Sequence, residues 1–359
     1  MRLWLAVVVL VSCGAPPSSV DAGSDGSVSS EDAGAVDGSV ALLDAGGDDA
    51  GPVADAGPDG GVVDAGASDA GASDASVADA GGFDAGAPDA SLVWPDAGVR
   101  VRLIAANLTS GNNQNYDLGE GRRILQALQG DVIGIQEFNV GDNSDAAVEA
   151  FVRQTFDAGV FWHRGSGRIP NGVISRYPIV DAGEWDDTRT TDREFTWAVV
   201  DVPGPSHLWV VSLHLLSNTA QNRANQAAQL TQLLAANVGP DTHVALLGDL
   251  NTDTRVEPAL GALDASVVVT GPWPTDGTLP DGGNGNTSTN RSRPYDWALV
   301  SASLHALEVP VALGSQLFPS GLVFDTRVFT PLPPPALVGD SAAVNMQHMA
   351  VVRDFVLGP

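Results

Sequence analysis

The chain has 359 residues, a formal net charge of −27, no lysine and a single cysteine, Cys13. That cysteine count excludes an internal disulfide, and the acidic balance excludes avid non-specific binding to duplex DNA, whose long-range field would repel the protein. Composition changes sharply near residue 97, and only the part beyond it can bury a core.

Residues 1–13 carry Arg2, an apolar run from Leu3 to Val11, and the quartet Leu10-Val11-Ser12-Cys13. This is the layout of a lipoprotein signal, in which the peptide is cut before Cys13 and the thiol is lipidated; the run is too short for a permanent membrane span. Residues 14–97 repeat Asp-Ala-Gly and its variants, with sixteen Asp, one Glu and no Arg, about −17 in all. So little apolar surface cannot offset ordering entropy, and the predicted state is a disordered acidic stalk. Residues 98–359 hold the other 27 acidic side chains against 16 arginines, about −11, and have the length of one large α/β domain.

Within that part, the period-two segment from Arg100 to Asn107 predicts a first strand, followed by a polar loop. Ile124, Leu125 and Leu128 share the face of a helix that ends at Gly130, and Asp131 to Glu137 is an apolar strand closing on a carboxylate. Residues 143–157 have helical spacing with Asn143 or Ser144 as cap. Short strands are expected at 161–164 and 171–178, the latter broken by Pro178, and residues 196–202 and 207–216 form a hairpin pair. An amphipathic helix at 220–237 leads into the apolar strand Val244 to Leu247, ended by Gly248-Asp249-Leu250-Asn251. An irregular stretch at 281–293, a strand at 295–301, a proline-rich excursion at 331–335 and a closing strand complete the chain. Hairpins mixed with crossovers predict an α/β fold of two packed mixed β-sheets flanked by helices, a four-layer sandwich, rather than a doubly wound parallel sheet. No Gly-rich dinucleotide motif, P-loop or Gly-x-Ser-x-Gly elbow is present.

Asn107, Glu137, His214, Asp249, Asn251, Asp296 and His348 all fall at or beside predicted strand ends, where one cleft can collect them. Singly each has an ordinary structural role. Together with Ile135-Gln136-Glu137, Gly172-Val-Ile-Ser-Arg-Tyr-Pro-Ile179, Ser212-Leu-His214, Gly248-Asp-Leu-Asn251 and Tyr295-Asp-Trp-Ala-Leu-Val-Ser301, their order resembles the endonuclease/exonuclease/phosphatase superfamily of metal-dependent phosphodiesterases, over nearly all of residues 100–357.

The resemblance implies a deoxyribonuclease I-like fold and a Mg²⁺ cofactor, with Mn²⁺ or Ca²⁺ as substitutes. It makes Glu137 the principal metal ligand with Asn107 beside it. Asp249 activates or positions water, Asn251 helps orient it, His348 binds the scissile phosphate under the hold of Asp296, and His214 supports the leaving side. Arg176 and Asn171 face the substrate phosphate. The expected partner is a phosphate ester, whether nucleic acid, phospholipid or small molecule, hydrolysed at the cell envelope or outside the cell. Contact with the membrane comes through the lipid anchor alone, and no protein partner is implied. One departure stands out: Gln347 occupies the position before His348 where the family carries Asp, and it can neither supply charge nor accept a proton. Asp340 is the nearest upstream carboxylate that could substitute. The alternative reading is a non-catalytic surface binding module that retains the fold.

Overall fold

The computed structural model describes residues 98–358 apart from 157, 158, 241 and 279–281. The lipoprotein signal, Cys13 and the acidic stalk lie outside the described residues.

The strands in chain order are β1 (Val99–Ala106), β2 (Val132–Ile135), β3 (Phe161–Arg164), β4 (Gly172–Ser175), β5 (Ile179–Trp185), β6 (Phe195–Val200), β7 (Leu208–His214), β8 (His243–Asp249), β9 (Asp296–Val300), β10 (Glu308–Val309), β11 (Val311–Leu313), β12 (Gln316–Phe318), β13 (Leu322–Phe324) and β14 (Ala350–Leu357). The helices are α1 (Glu120–Leu128), α2 (Asp145–Thr155), α3 (Ala220–Asn237), α4 (Pro258–Leu263) and the single turn α5 (Ala302–His305). One sheet has the order β10-β14-β1-β2-β4-β3, with β13 also on β14; the other has the order β5-β6-β7-β8-β9, and β11 and β12 pair separately. In each sheet one pair is parallel at the centre, β1 with β2 and β7 with β8, and the flanking pairs are antiparallel. The fold is therefore the expected mixed α/β sandwich.

Side-chain alternation sorts the apolar residues into three cores. Ile104 and Ala106 of β1 face α1 and α2, whereas Val101, Leu103 and Ala105 face the second sheet. In β8, Ala245 and Leu247 complete that inter-sheet core, while Val244 and Leu246 lie under α3 and α4. Strands buried on both faces read as continuous apolar runs, which is why β1, β8 and β14 stand out in the sequence. Arg102 and Asp354 are cross-strand partners on β1 and β14, fully buried, with Arg102 Nε on Asp354 Oδ1 at 2.8 Å and its other nitrogens on Leu128 and Ala312 carbonyls.

Ser144 is the cap of α2, its hydroxyl accepting from Ala147 N–H, and Thr219 caps α3 in the same way. Elements that periodicity did not separate are β5, the short β10 to β13 and the short helices α4 and α5. The segment read as one proline-broken strand is β4 alone, and β5 begins after Pro178 in the other sheet. Among the described residues no helix is long and apolar enough to cross a membrane.

Candidate active site

Strand direction decides which ends meet. The C-terminal ends of β1 and β2 share a rim with the N-terminal ends of their antiparallel neighbours β14 and β4, and the C-terminal ends of β7 and β8 share one with the start of β9. On the second sheet His214 is paired in register with Asp249, and Asp249 with Asp296, so three adjacent strands present these side chains in one row. On the first sheet Asn107 follows β1, Glu137 lies two residues beyond β2, and His348 two residues before β14.

Asn107 and His348 tie the two rims together. Asn107 Nδ2 donates to Asp249 Oδ2 at 3.2 Å and to Glu137 Oε1 at 3.4 Å, and Thr109 Oγ1 donates to Glu137 Oε2 at 2.9 Å. His348 Nδ1 lies 2.9 Å from Asp296 Oδ2, and its Nε2 lies 3.6 Å from Asp249 Oδ2. Asn251 donates to Asp249 twice, from its N–H at 2.8 Å and from Nδ2 at 3.2 Å. Glu137 and Asn251 both have φ of 50°, in the left-handed region that non-glycine residues rarely enter. Two such residues at one rim are the kind of local strain that functional sites retain.

Asp249, Asp296 and His348 are buried and offer ligand atoms within 4.8 Å of one another, close enough to share a metal ion. The hydrogen-bond geometry gives His348 a different part. Burial alone would lower its pKa, but the charges of Asp296 and Asp249, the hydrogen bond to Asp296 and the charge of Glu137 push it up to about 10. An imidazolium has no lone pair for a metal, so His348 is a cation held between two carboxylates. Burial raises the Asp249 carboxyl above the usual range, as does Asp296, whereas the His348 charge and the Asn251 and Asn107 donors oppose the rise.

Oxygen donors suited to a hard cation lie beside this trio. Glu137 is half-buried, and the buried Asn107 Oδ1 has no donor among the described residues. A carboxylate next to an unsatisfied carboxamide oxygen fits a divalent metal such as Mg²⁺, so the residues present suit the cofactor that the sequence implies.

The sequence reading missed Arg193, on the loop before β6. Its Nη1 lies 2.8 Å from His214 Nε2 and its Nε 3.1 Å from Asp192 Oδ1, which puts a guanidinium on the rim. Burial first, then the Arg193 and His348 charges, hold the His214 pKa well below the ordinary value. His214 Nε2 thus faces Arg193 Nη1 on one side and Asp249 Oδ2, at 3.2 Å, on the other, while its buried Nδ1 has no partner among the described residues. Arg193 sits amid Asp192 and Glu194 and carried no motif that marked it.

Arg176 is not at this site. It follows β4 at the opposite end of the strand, where its Nε donates to Gly130 O at 3.2 Å and its guanidinium lies over the Phe156 ring. Antiparallel pairing of β4 with β2 forces that outcome, because residues on either side of a four-residue strand face opposite rims. Asn171, at the other end of β4, is on the site rim and buried, with Nδ2 on Glu194 O at 2.6 Å and Oδ1 unpartnered among the described residues. Gln347 has an exposed side chain, and its main-chain carbonyl accepts from Thr289 N–H at 2.8 Å. Asp340 does not replace it, being bound to Arg123 on α1 at 2.5 Å.

A model described as the endonuclease/exonuclease/phosphatase family matches residues 104–356. No curated protein matches the chain. Similar solved structures include the endonuclease/exonuclease/phosphatase from Beutenbergia cavernae DSM 12333, 18% identical, covering 72% of this chain and 72% of that one with a TM-score of 0.49. The 3′ phosphatase NExo from Neisseria, bound to product DNA hairpin, is 17% identical over 71% of this chain and 99% of its own, with a TM-score of 0.48. The human Nocturnin catalytic domain with bound sulfate is 15% identical over 71% and 94%, with a TM-score of 0.47. With the family model matched from β1 into β14, the chain belongs to the endonuclease/exonuclease/phosphatase family.

Proposed function

We propose that the protein is a Mg²⁺-dependent phosphoesterase that hydrolyses phosphate diesters or monoesters, tethered at the cell envelope through Cys13. The observation that carries this reading is the meeting of His348, Asp249, Asp296, Asn107 and Glu137 from both sheets at one buried rim.

Glu137 and Asn107 would hold the cation, which when bound supplies positive charge to offset the anionic phosphate. His348 donates from Nε2 to a phosphate oxygen, with Asp296 fixing the ring through Nδ1. Asp249, held by two donors from Asn251, takes the proton of the attacking water as the new P–O bond forms. The ester P–O bond breaks opposite, and the departing oxygen is protonated from solvent. Arg193 adds a second positive charge beside His214. The acidic body and absence of lysine favour small or single-stranded esters over long duplex DNA.

A binding module without turnover drew its support from Gln347. That side chain is exposed, so the substitution leaves the buried Asp249-Asp296-His348 trio intact. The test is release of nitrophenolate from bis(nitrophenyl) phosphate by the full-length protein. Mg²⁺ should sustain turnover, excess chelator should abolish it, and Asp249→Ala should lower kcat by about a hundredfold or more. Undiminished turnover under both treatments would overturn the mechanism.

A further inference from the structure

Tyr116 takes no part in the reaction described above, yet its hydroxyl stands where the two chain segments that carry the metal candidates leave the first sheet. The parallel ladder of β1 and β2 ends at the pair Ala106 and Ile135. Just beyond it the chain turns out of the sheet to deliver Asn107 from one strand and Glu137 from the other. Main-chain groups at such a point lose their ladder partners, and burying them unpaired is costly. The Tyr116 hydroxyl supplies the missing partners. It accepts from Leu108 N–H at 3.1 Å and lies 3.1 Å from both the Ala106 and the Gln136 carbonyl oxygens, which share its one proton. Those groups flank the candidate ligands: Ala106 and Leu108 stand on either side of Asn107, and Gln136 precedes Glu137. All are buried, and Tyr116 itself is 2% exposed, so bulk solvent does not reach them.

The ring is held as firmly as the hydroxyl. It meets Phe138 edge to face, with centroids 6.3 Å apart, and packs on Phe151 of α2 at 5.4 Å. The Tyr116 N–H donates to Asn139 O at 3.0 Å and its carbonyl accepts from Gly119 N–H at 3.2 Å, which ties the polar loop after β1 to the segment after β2. Phe138 and Asn139 follow Glu137 directly, so Tyr116 grips the chain on both sides of a residue whose φ of 50° is unfavourable by itself. A buried tyrosine that only fills a core needs one partner for its hydroxyl. This one joins three main-chain groups from two strands, each of them adjacent to Asn107 or Glu137.

We propose that Tyr116 is the positioning residue of the metal site: acting through the backbone of Ala106, Leu108 and Gln136, its hydroxyl sets the separation of Asn107 and Glu137, whose oxygens would hold the cation. It touches neither substrate nor metal. Groups that orient metal ligands from behind contribute roughly ten- to hundredfold in metal affinity. The inference rests on the metal-dependent reading, and a binding measurement separates the two.

The experiment follows the unfolding temperature of the full-length protein as Mg²⁺ is added, because a cation bound to the folded site raises that temperature. Glu137→Gln, which removes the principal ligand charge, gives the response to Mg²⁺ bound elsewhere, the acidic residues 14–97 included. The wild type should be stabilised beyond that baseline. Tyr116→Phe, which keeps the ring and removes the hydroxyl, should need about tenfold more Mg²⁺ for half the rise. Phe151→Leu, which loosens the packing on the ring and leaves the hydroxyl in place, should lower the unfolding temperature in chelator and keep the wild-type Mg²⁺ midpoint. Should Tyr116→Phe fail to fold, hydrogen exchange of the wild type carries the test. Mg²⁺ should then slow the Leu108 amide by a larger factor than the Val352 amide at the centre of the sheet, since coupling between the cation and the hydroxyl runs in both directions; equal factors would overturn the role. A midpoint unchanged in Tyr116→Phe, or shifted as far in Phe151→Leu, would overturn it too and leave the metal site standing. A wild type that responds to Mg²⁺ no more than Glu137→Gln would defeat the metal-dependent reading, and the role of Tyr116 with it.

Discussion

His348 is the residue on which the electrostatics of the rim turns. It carries its proton because two carboxylates face it, Asp296 at 2.9 Å and Asp249 at 3.6 Å. A histidine whose folded pKa is raised to about 10 adds stability that is fully present below the ordinary value of 6.5 and is lost as pH rises through 10. Asp296→Asn removes the first of those charges. In chelator, the urea midpoint of the wild type should therefore exceed that of Asp296→Asn below pH 6.5, and the gap should close between 6.5 and 10. A gap that stays constant or widens over that window would show that the imidazole is not held as a cation. Arg193 makes a separate prediction, since its guanidinium is the cation at His214. Arg193→Gln should raise KM for a diester about tenfold, the loss of one charged hydrogen bond, with thermal unfolding little changed. An unchanged KM would remove Arg193 from the substrate's path.

At the scale of elements, the site exists because the two sheets pack closely enough for side chains of one to bond those of the other. Gly134 of β2 permits that approach: a Cβ there would lie 2.5 Å from Leu247 Cβ and 2.8 Å from Leu247 O on β8. The neighbouring Gln136 uses the same closeness, donating to Leu247 O at 3.1 Å and to Ser212 Oγ at 2.8 Å. Gly134→Ala should destabilise the fold by about 1–3 kcal/mol in urea denaturation, as overpacked cores do. It should also lower kcat, because Glu137 and Asn107 ride on the first sheet whereas Asp249 and Asp296 ride on the second. Loss of stability with kcat intact would mean that the catalytic geometry tolerates a wider sheet spacing.

At the scale of the whole molecule, the net charge of −27 is the sum of about −17 at residues 14–97, about −11 in the body and the +1 of Arg2. If Cys13 is the anchor, the full-length protein should partition into the detergent phase after bacterial expression, and Cys13→Ala should move it to the aqueous phase. Equal partitioning of the two would remove the lipid anchor and, with it, envelope tethering by that route.

The order of strands and helices was legible because strands buried on both faces, such as β1 and β8, read as unbroken apolar runs, and because α3 carries its own period and cap. The positions of Glu137, Asp249, Asp296 and His348 at strand ends followed from the same runs. Short strands such as β10 to β13 left no such trace, since two or three residues cannot display a period. Linear order determined which polar groups end strands; strand direction and sheet packing decided which of those ends meet. Arg176 and Asn171 bracket the same four residues, yet antiparallel pairing sends them to opposite rims. Arg193 became visible only when folding set it beside His214. A charge's partners are a property of three-dimensional neighbourhood, and no local pattern in the chain encodes them.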